Sequence, residues 1–123
     1  MHFFFDLDHT AIDSSHRQIT RPDGSLDLAA WRRNNTRANI MRDTLLPLAK
    51  EWRRLAKKNV TIVICTARVM GEHDYEFLRI HGLRWDACLS RRPFEITPDA
   101  ELKERMIREY ARTRSMTWAR FCA

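Results

Sequence analysis

The chain has 123 residues, with 22 Lys or Arg against 16 Asp or Glu, and a formal net charge of +6. This length suits one domain with a single core and leaves no room for a separate cap domain. No run of about 18 apolar residues occurs and no basic region precedes the apolar N-terminus, so neither a membrane span nor a signal peptide is expected. The three cysteines form no C-x-x-C pair, which favours reduced thiols and a cytoplasmic protein.

The first predicted strand covers residues 2–6, where an apolar run ends at Asp6 and a second aspartate, Asp8, follows. In an extended chain the side chains at positions i and i+2 point to the same face, so the two carboxylates are expected to lie close together. The C-terminal end of a strand is a common place for α/β active sites. Two like charges at one spot are costly unless a cation or a reacting group shares it, although a strand-end turn can carry the same residues.

A polar, turn-rich segment follows over residues 13–36, and Arg21-Pro22-Asp23-Gly24 within it predicts a turn. The next element is a helix from about 44 to 58, with Pro47 tolerated only in its first turn. Its apolar face is formed by residues that recur every three or four positions: Met41, Leu45, Leu48, Trp52 and Leu55.

The second half of the chain alternates between predicted strands and helices. Strands are expected at 60–65 and 86–89, and a helix at about 73–81 that ends at Gly82 in a left-handed cap. Thr97 can cap a further helix that has Pro98 at its first position. The core-facing residues of that helix are Leu102, Met106, Ile107 and Tyr110. Residues 115–122 could supply a fourth strand, and the alternation predicts an α/β fold with a parallel sheet between helical layers.

Three motifs resemble those of the haloacid dehalogenase (HAD) superfamily of phosphatases, in the family order. The first is an apolar strand followed by Asp-x-Asp-x-Thr, which Asp6, Asp8 and Thr10 match. The second is an apolar strand ending in Thr or Ser, matched by Thr66, and the third is a lysine near the start of a later helix, matched by Lys103. The resemblance covers most of the chain and implies one three-layer, Rossmann-like domain over 1–123. Its C-terminal part is shortened, and a small flap at about 13–36 serves as a minimal cap.

The resemblance also implies a mechanism, in which Asp6 attacks phosphorus and forms an aspartyl-phosphate. Asp8 protonates the leaving oxygen and then activates water. Thr66 binds a phosphoryl oxygen, and Lys103 neutralises it while restraining Asp6. The implied cofactor is Mg²⁺, held by the Asp6 carboxylate and by the main-chain carbonyl of Asp8.

The fourth motif of the superfamily, one or two acids after a further strand, is not found in the sequence. Three explanations stay open. The chain is a minimal form that binds metal weakly or borrows an acid such as Asp13, Asp86 or Glu95; it is a truncated product; or it keeps the fold without the activity. In the last case it is a non-catalytic protein that binds nucleic acid or a protein through its basic surface.

The positive charge favours acidic partners, with nucleotides or nucleic acid first. The layout resembles the 3′-phosphatase domain of phage-type polynucleotide kinases and related small phage phosphatases, which also have a short flap and an arginine after the second motif. The expected substrate is therefore a nucleotide or a nucleic-acid 3′-phosphate, in the host cytoplasm if the chain is phage-encoded. Thr10, Arg17 and Arg68 are the predicted substrate-binding residues, and no P-loop for a kinase half occurs.

Overall fold

The structure is a computed structural model and describes residues 1–114. In chain order its elements are β1 (His2–Phe5), β2 (Ile12–Asp13), α1 (Leu28–Arg33), α2 (Arg37–Met41), β3 (Thr44–Leu45), α3 (Leu48–Ala56), β4 (Thr61–Cys65), α4 (Glu72–Ile80), β5 (Ala87–Leu89) and α5 (Asp99–Thr113). A single 3₁₀ turn, Ser15–Arg17, lies between β2 and α1. Within residues 1–114 no helix is both long enough and apolar enough to cross a membrane.

A three-stranded parallel sheet in the order β1-β4-β5 forms the centre of the molecule. Phe5 of β1 lies opposite Ile64 of β4, and Cys65 of β4 lies opposite Leu89 of β5. The predicted strands at 2–6, 60–65 and 86–89 are confirmed to within one residue at either end. Because the strands are parallel, all three carboxyl ends lie at one edge of the sheet, here called the carboxyl edge.

Helices cover both faces of this sheet. On one face the ring of Trp52 in α3 stacks on Phe5, with ring centroids 4.7 Å apart and planes 11° from parallel. On the other face Cys65 packs against Leu102 and Met106 of α5. Alternate strand residues thus face opposite helical layers, as strand geometry requires. The predicted α/β fold with a central parallel sheet is confirmed, and the arrangement is consistent with a Rossmann-like fold.

The predicted helix over 44–58 is wrong in its first part, because α3 begins at Leu48. Thr44 and Leu45 form β3 instead, which pairs antiparallel with β2. Pro47 lies at the N-cap, where its missing N–H costs no intrahelical hydrogen bond. This position agrees with the expectation that the proline is tolerated only at the start of the helix. Leu45 still packs against the core, from a strand rather than from a helix, so periodicity identified a core residue but not its element.

The expected Thr97 cap is also wrong. The Thr97 hydroxyl donates to the Glu95 carboxylate at 3.1 Å, and α5 begins after Pro98 with no side-chain cap. The left-handed Gly82 after α4 is confirmed, with φ of +68°. The fourth strand expected at 115–122 falls outside the described residues.

The segment at 13–36 contains a small hairpin and a short helix. Thr20 and Leu26 form an antiparallel bridge around Gly24, whose φ is +88° and whose N–H donates to the carbonyl of Arg21. The turn predicted from Arg21-Pro22-Asp23-Gly24 is therefore confirmed. Helix α1 follows, capped by the Asp27 carboxylate on the N–H of Ala30. Residues 13–36 are called the flap segment below.

Candidate active site

The carboxyl edge of the sheet gathers the residues singled out in the sequence. Asp6 and Asp8 follow β1, Thr66 and Arg68 follow β4, and Lys103 lies in α5. The turn after β1 is tight because the carbonyl of Leu7 accepts the N–H groups of residues 10, 11 and 12. His9 within this turn has φ of +63°, a left-handed conformation that such a tight turn imposes.

Asp6 is paired with a lysine. Its Oδ2 lies 3.0 Å from Nζ of Lys103, and the hydroxyl of Thr10 donates to the same oxygen at 3.3 Å. Oδ1 accepts the N–H of Leu7 at 2.8 Å. The side chains of Asp6 and Lys103 are 31% and 30% exposed, so a solute can reach this pair from solvent.

Asp8 has a different partner, the guanidinium of Arg68. Nε of Arg68 donates to Oδ2 of Asp8 at 3.1 Å and Nη2 donates to Oδ1, which also accepts the hydroxyl of Ser14 at 2.6 Å. The third guanidinium nitrogen, Nη1, donates to Asp74 at 2.7 Å. Burial alone raises the pKa of Asp8, but the hydrogen bonds and charge of Arg68, with help from Ser14 and Arg17, lower it below its ordinary value.

A second arginine joins this group through Asp43, whose side chain is fully buried. Arg17 donates from Nε and Nη2 to the two oxygens of Asp43, each at 2.9 Å, and from Nη1 to Asn35 at 3.1 Å. Nε2 of His16 lies 2.7 Å from Asp43, and Nη2 of Arg68 lies 3.9 Å from it. The buried charge cluster is named here by its members: Asp8, Arg17, Asp43, Arg68 and Asp74. It contains three acids and two arginines, so full ionisation leaves one excess negative charge.

The buried charge cluster attaches the flap segment to the sheet. Arg17 belongs to the flap segment, Asp43 precedes β3, and Arg68 follows β4. The ring of Trp31 in α1 adds an aromatic surface, with the guanidinium carbon of Arg17 4.3 Å and that of Arg68 5.8 Å from its centroid. Cations over an indole face are attracted to it, so α1 is tied to the same two arginines.

Thr66 is buried, with 1% of its surface exposed. Its hydroxyl oxygen accepts the N–H of Arg68 at 3.1 Å, and its own N–H donates to Leu89 at 2.9 Å. The neighbouring thiol of Cys65 is also buried, and burial raises its pKa to about 11. A raised pKa disfavours the thiolate form, so Cys65 does not have the character of a reactive cysteine.

The predicted metal ligands offer two oxygen donors. The Asp6 carboxylate is partly exposed, and no described residue donates a hydrogen bond to the main-chain carbonyl of Asp8. Mg²⁺ is held in many sites by one or two carboxylates with waters and substrate phosphates. One carboxylate and one carbonyl therefore fit the ion, but they are close to the smallest set of protein ligands that such sites use. In residues 1–114 no group of three or more His, Cys, Asp or Glu side chains could hold a metal.

The acids considered as substitutes for a missing ligand are engaged elsewhere. Asp86 accepts the N–H of Ile62 at the start of β4, which places it at the opposite edge of the sheet and excludes it. Asp13 accepts the hydroxyl and N–H of Ser15, and Glu95 pairs with Arg105.

Sequence reasoning identified both arginines of the cluster but not their partners. Arg17 and Arg68 were expected to bind substrate, whereas here each guanidinium is buried and directed at carboxylates. Asp43 and Asp74 were not identified, because Asp74 lies in the first turn of α4 and Asp43 in a short connection before β3, where an acidic residue is ordinarily exposed to solvent. Trp31, an aromatic residue in a polar segment, is a signal that could have indicated a buried partner for this segment.

Comparison with known proteins adds the following. Residues 1–107 match the family described as bacteriophage T5 5′-deoxynucleotidase. The 5′-deoxynucleotidase of Escherichia phage T5 is 43% identical over 84 residues, which cover 65% of this chain and 34% of that protein. The chain thus spans about a third of the length of this curated relative. No solved structure matches the chain.

Proposed function

The chain belongs to the bacteriophage T5 5′-deoxynucleotidase family, and on that premise we propose that it is a Mg²⁺-dependent phosphatase of HAD type. Its proposed substrate is a deoxynucleoside 5′-monophosphate. The observation that carries the proposal is the accessible Asp6 with Lys103 at 3.0 Å, at the carboxyl edge of a parallel sheet. The similarity to the 5′-deoxynucleotidase of Escherichia phage T5 supports a 5′-phosphate as the substrate group.

In the first step a carboxylate oxygen of Asp6 attacks phosphorus and the bond to the leaving 5′-oxygen breaks, which gives an aspartyl-phosphate. Lys103 neutralises the negative phosphoryl oxygens, and Thr66 is the proposed hydrogen-bond donor to one of them. Mg²⁺ held by Asp6 and the Asp8 carbonyl supplies further positive charge against these oxygens when it is bound.

Asp8 is the proposed proton donor to the leaving oxygen. Arg68 lowers the pKa of Asp8. In this proposal Asp8 takes up a proton when substrate binds, because the negative charge of the phosphate dianion raises the proton affinity of a neighbouring carboxyl group. After the proton is transferred, the regenerated carboxylate accepts a proton from the water that hydrolyses the aspartyl-phosphate. Inorganic phosphate and free Asp6 result.

The test is phosphate release by the 123-residue protein from deoxynucleoside 5′-monophosphates, with and without Mg²⁺. Asp6→Asn is the matched variant, nearly equal in shape but a poor nucleophile and metal ligand. We expect it to lose activity by at least about a thousandfold, the scale for removal of a covalent nucleophile, with an unchanged Tm. Full turnover by a folded Asp6→Asn protein would contradict the mechanism.

Substrate class is decided in the same assay by an oligonucleotide with a 3′-phosphate. Faster release from the 5′-monophosphate supports the proposal. Faster release from the oligonucleotide, with a steep loss of rate in salt, supports the 3′-end substrate instead, because contacts to a nucleic-acid backbone release counterions. Binding of nucleic acid with no hydrolysis of either substrate would support the non-catalytic alternative.

The metal site gives a second prediction. With two protein donors among residues 1–114, half-maximal activity is expected at millimolar rather than micromolar Mg²⁺, because this ion gives up its water reluctantly. A Mg²⁺ titration of the initial rate measures this value. Saturation at micromolar Mg²⁺ would show that a further ligand completes the site.

A further inference from the structure

The loop over residues 90–98, called the Phe94 loop here, leaves the carboxyl edge after β5 and leads into α5. Its two ends therefore lie next to elements that carry proposed catalytic residues. The preceding strand β5 accepts the N–H of Thr66 through Leu89, and α5 contains Lys103.

Arg91 fixes this loop to the turn after β4. Its side-chain Nε donates to the carbonyl of Ala67 at 2.8 Å, and its main-chain N–H donates to the carbonyl of Arg68 at 3.2 Å. The remaining guanidinium nitrogens hold the far side of the loop, with Nη1 on the carbonyl of Glu95 and Nη2 on Asp99, both at 2.8 Å. One side chain thus ties together the second motif, the loop and the start of α5.

A second attachment comes from Glu95. Its carboxylate accepts the hydroxyl of Thr97 at 3.1 Å and pairs with Arg105, two residues beyond Lys103 in α5. The loop is therefore attached through Arg91 and through Glu95, and three residues, Arg92, Pro93 and Phe94, lie between these two attachments.

Phe94, the last of these three residues, is unusual in two ways. Its φ is +68°, a conformation that a bulky side chain adopts only at a cost. Its ring is also 89% exposed, although burial of a phenylalanine stabilises a folded chain. Strained, exposed residues that the surrounding structure holds in place occur preferentially at binding sites.

From this placement we infer that Phe94 is a substrate-binding residue that stacks on the nucleobase of the substrate while Asp6 and Lys103 hold its phosphate, and that it thereby favours a nucleotide over a sugar phosphate without a base. The inference rests on the proposed function for the phosphate end of the site. The interactions at Asp6, Asp8 and Arg68 are polar and suit a phosphate, whereas the base presents a planar face that an aromatic ring accepts. Every base has such a face, so a stacking contact is expected to accept all four common deoxynucleotides with similar affinity.

The experiment measures binding, so that it does not depend on turnover. Asp6→Asn protein is titrated by calorimetry with deoxythymidine 5′-monophosphate and with deoxyribose 5-phosphate, which lacks the base. Adding Phe94→Ala should weaken binding of the nucleotide roughly five- to 150-fold, the factor that corresponds to about 1–3 kcal/mol for one base–aromatic stack. Binding of deoxyribose 5-phosphate should stay the same.

Two further variants separate stacking from general effects. Phe94→Trp keeps an aromatic face and should retain nucleotide affinity. Ile80→Ala is the matched control, because Ile80 is also an exposed apolar residue, 61% accessible, at the end of α4 that precedes the amino end of β5. It should change neither affinity.

The outcomes distinguish this inference from the proposed function. If wild-type protein hydrolyses the nucleotide and Phe94→Ala changes neither its affinity nor its KM, the phosphatase proposal stands and the stacking role is wrong. Equal weakening of both ligands would also overturn it, since a base contact cannot act on a ligand without a base. If wild-type protein neither binds nor hydrolyses the nucleotide, both proposals fail. A change only in sedimentation would assign Phe94 to self-association instead.

Discussion

The two aspartates of the first motif lie two residues apart and have similarly accessible side chains, 31% and 23% exposed, but their partners differ. Asp6 is about one third exposed and has one cation, Lys103, at 3.0 Å. Asp8 accepts a two-pronged contact from Arg68, whose own side chain is 2% exposed and belongs to the buried charge cluster. Asp6 is thus an accessible carboxylate, as the proposed nucleophile must be, whereas the position of Asp8 is fixed by several buried partners.

The physical difference is the surrounding dielectric. A pair near water contributes about 0–1 kcal/mol to stability, because solvent screens it and long side chains lose entropy. A buried charge left without its partner costs about 3–5 kcal/mol. Substitutions at Lys103 are therefore expected to affect chemistry, and substitutions in the buried charge cluster are expected to affect folding as well.

The largest effect is expected at Asp43. Asp43→Ala leaves Arg17 buried without its acid and should lower the free energy of unfolding by about 3–5 kcal/mol, as measured by urea denaturation. The matched control is Glu76→Ala, which removes an equally two-pronged pair with Arg37 where the side chains are 34% and 56% exposed. There the loss should be about 0–1 kcal/mol. Equal losses at the two sites would contradict the distinction drawn from burial.

Lys103→Met tests the accessible ion pair between Asp6 and Lys103. It should lower kcat/KM by about 10²–10³, the scale for one lost donor to developing phosphoryl charge, and leave the Tm within the error of wild type. Steady-state kinetics and a thermal melt measure the two quantities. A large drop in Tm with a small kinetic change would show that this pair is structural.

Arg68→Lys tests whether Arg68 acts on the substrate or through Asp8. Lysine keeps the charge but cannot hold Asp8 and Asp74 together, and the loss of charged hydrogen bonds is worth about 1.5–3 kcal/mol. Because Arg68 is directed at these two acids, we expect kcat/KM to fall equally for a nucleotide and for a small aryl phosphate. A loss confined to the nucleotide would support direct contact with the substrate, as the sequence predicted.

The smallest effect concerns acid stability. The pKa of Asp8 is lowered in the folded protein. The ionised carboxylate therefore stabilises the fold at pH values above the pKa of an aspartate in the unfolded chain, about 3.9. This stabilisation is lost as the pH falls through the pKa of Asp8 in the folded protein. Wild type should therefore exceed Asp8→Asn in free energy of unfolding at pH 6, and the gap should narrow towards pH 3. A gap that does not change with pH would show that the carboxylate charge is not what stabilises this contact.

Local patterns in the sequence determined most of the strands and helices that position the site. Apolar runs ending in polar residues identified β1 with Asp6 and β4 with Thr66, and the spacing in α5 identified Leu102 and Met106 as core residues. A glycine after a periodic segment marked the end of α4. These predictions succeeded because the hydrophobic periodicity of a strand or a helix, and the residues that end it, are visible within a few consecutive positions of the sequence.

Tertiary structure alone decided the partners. Asp8 and Arg68 are 60 residues apart in sequence, and Arg17 and Asp43 are 26 apart, so no local pattern joins them. The pairing of Thr44 and Leu45 with β2 overrode an apparent helical period for the same reason. The left-handed Phe94 lies in a loop that Arg91 attaches to the turn after β4, 24 residues earlier in the sequence. A residue's type fixes which contacts it can make, but the fold decides which partners come within hydrogen-bonding distance.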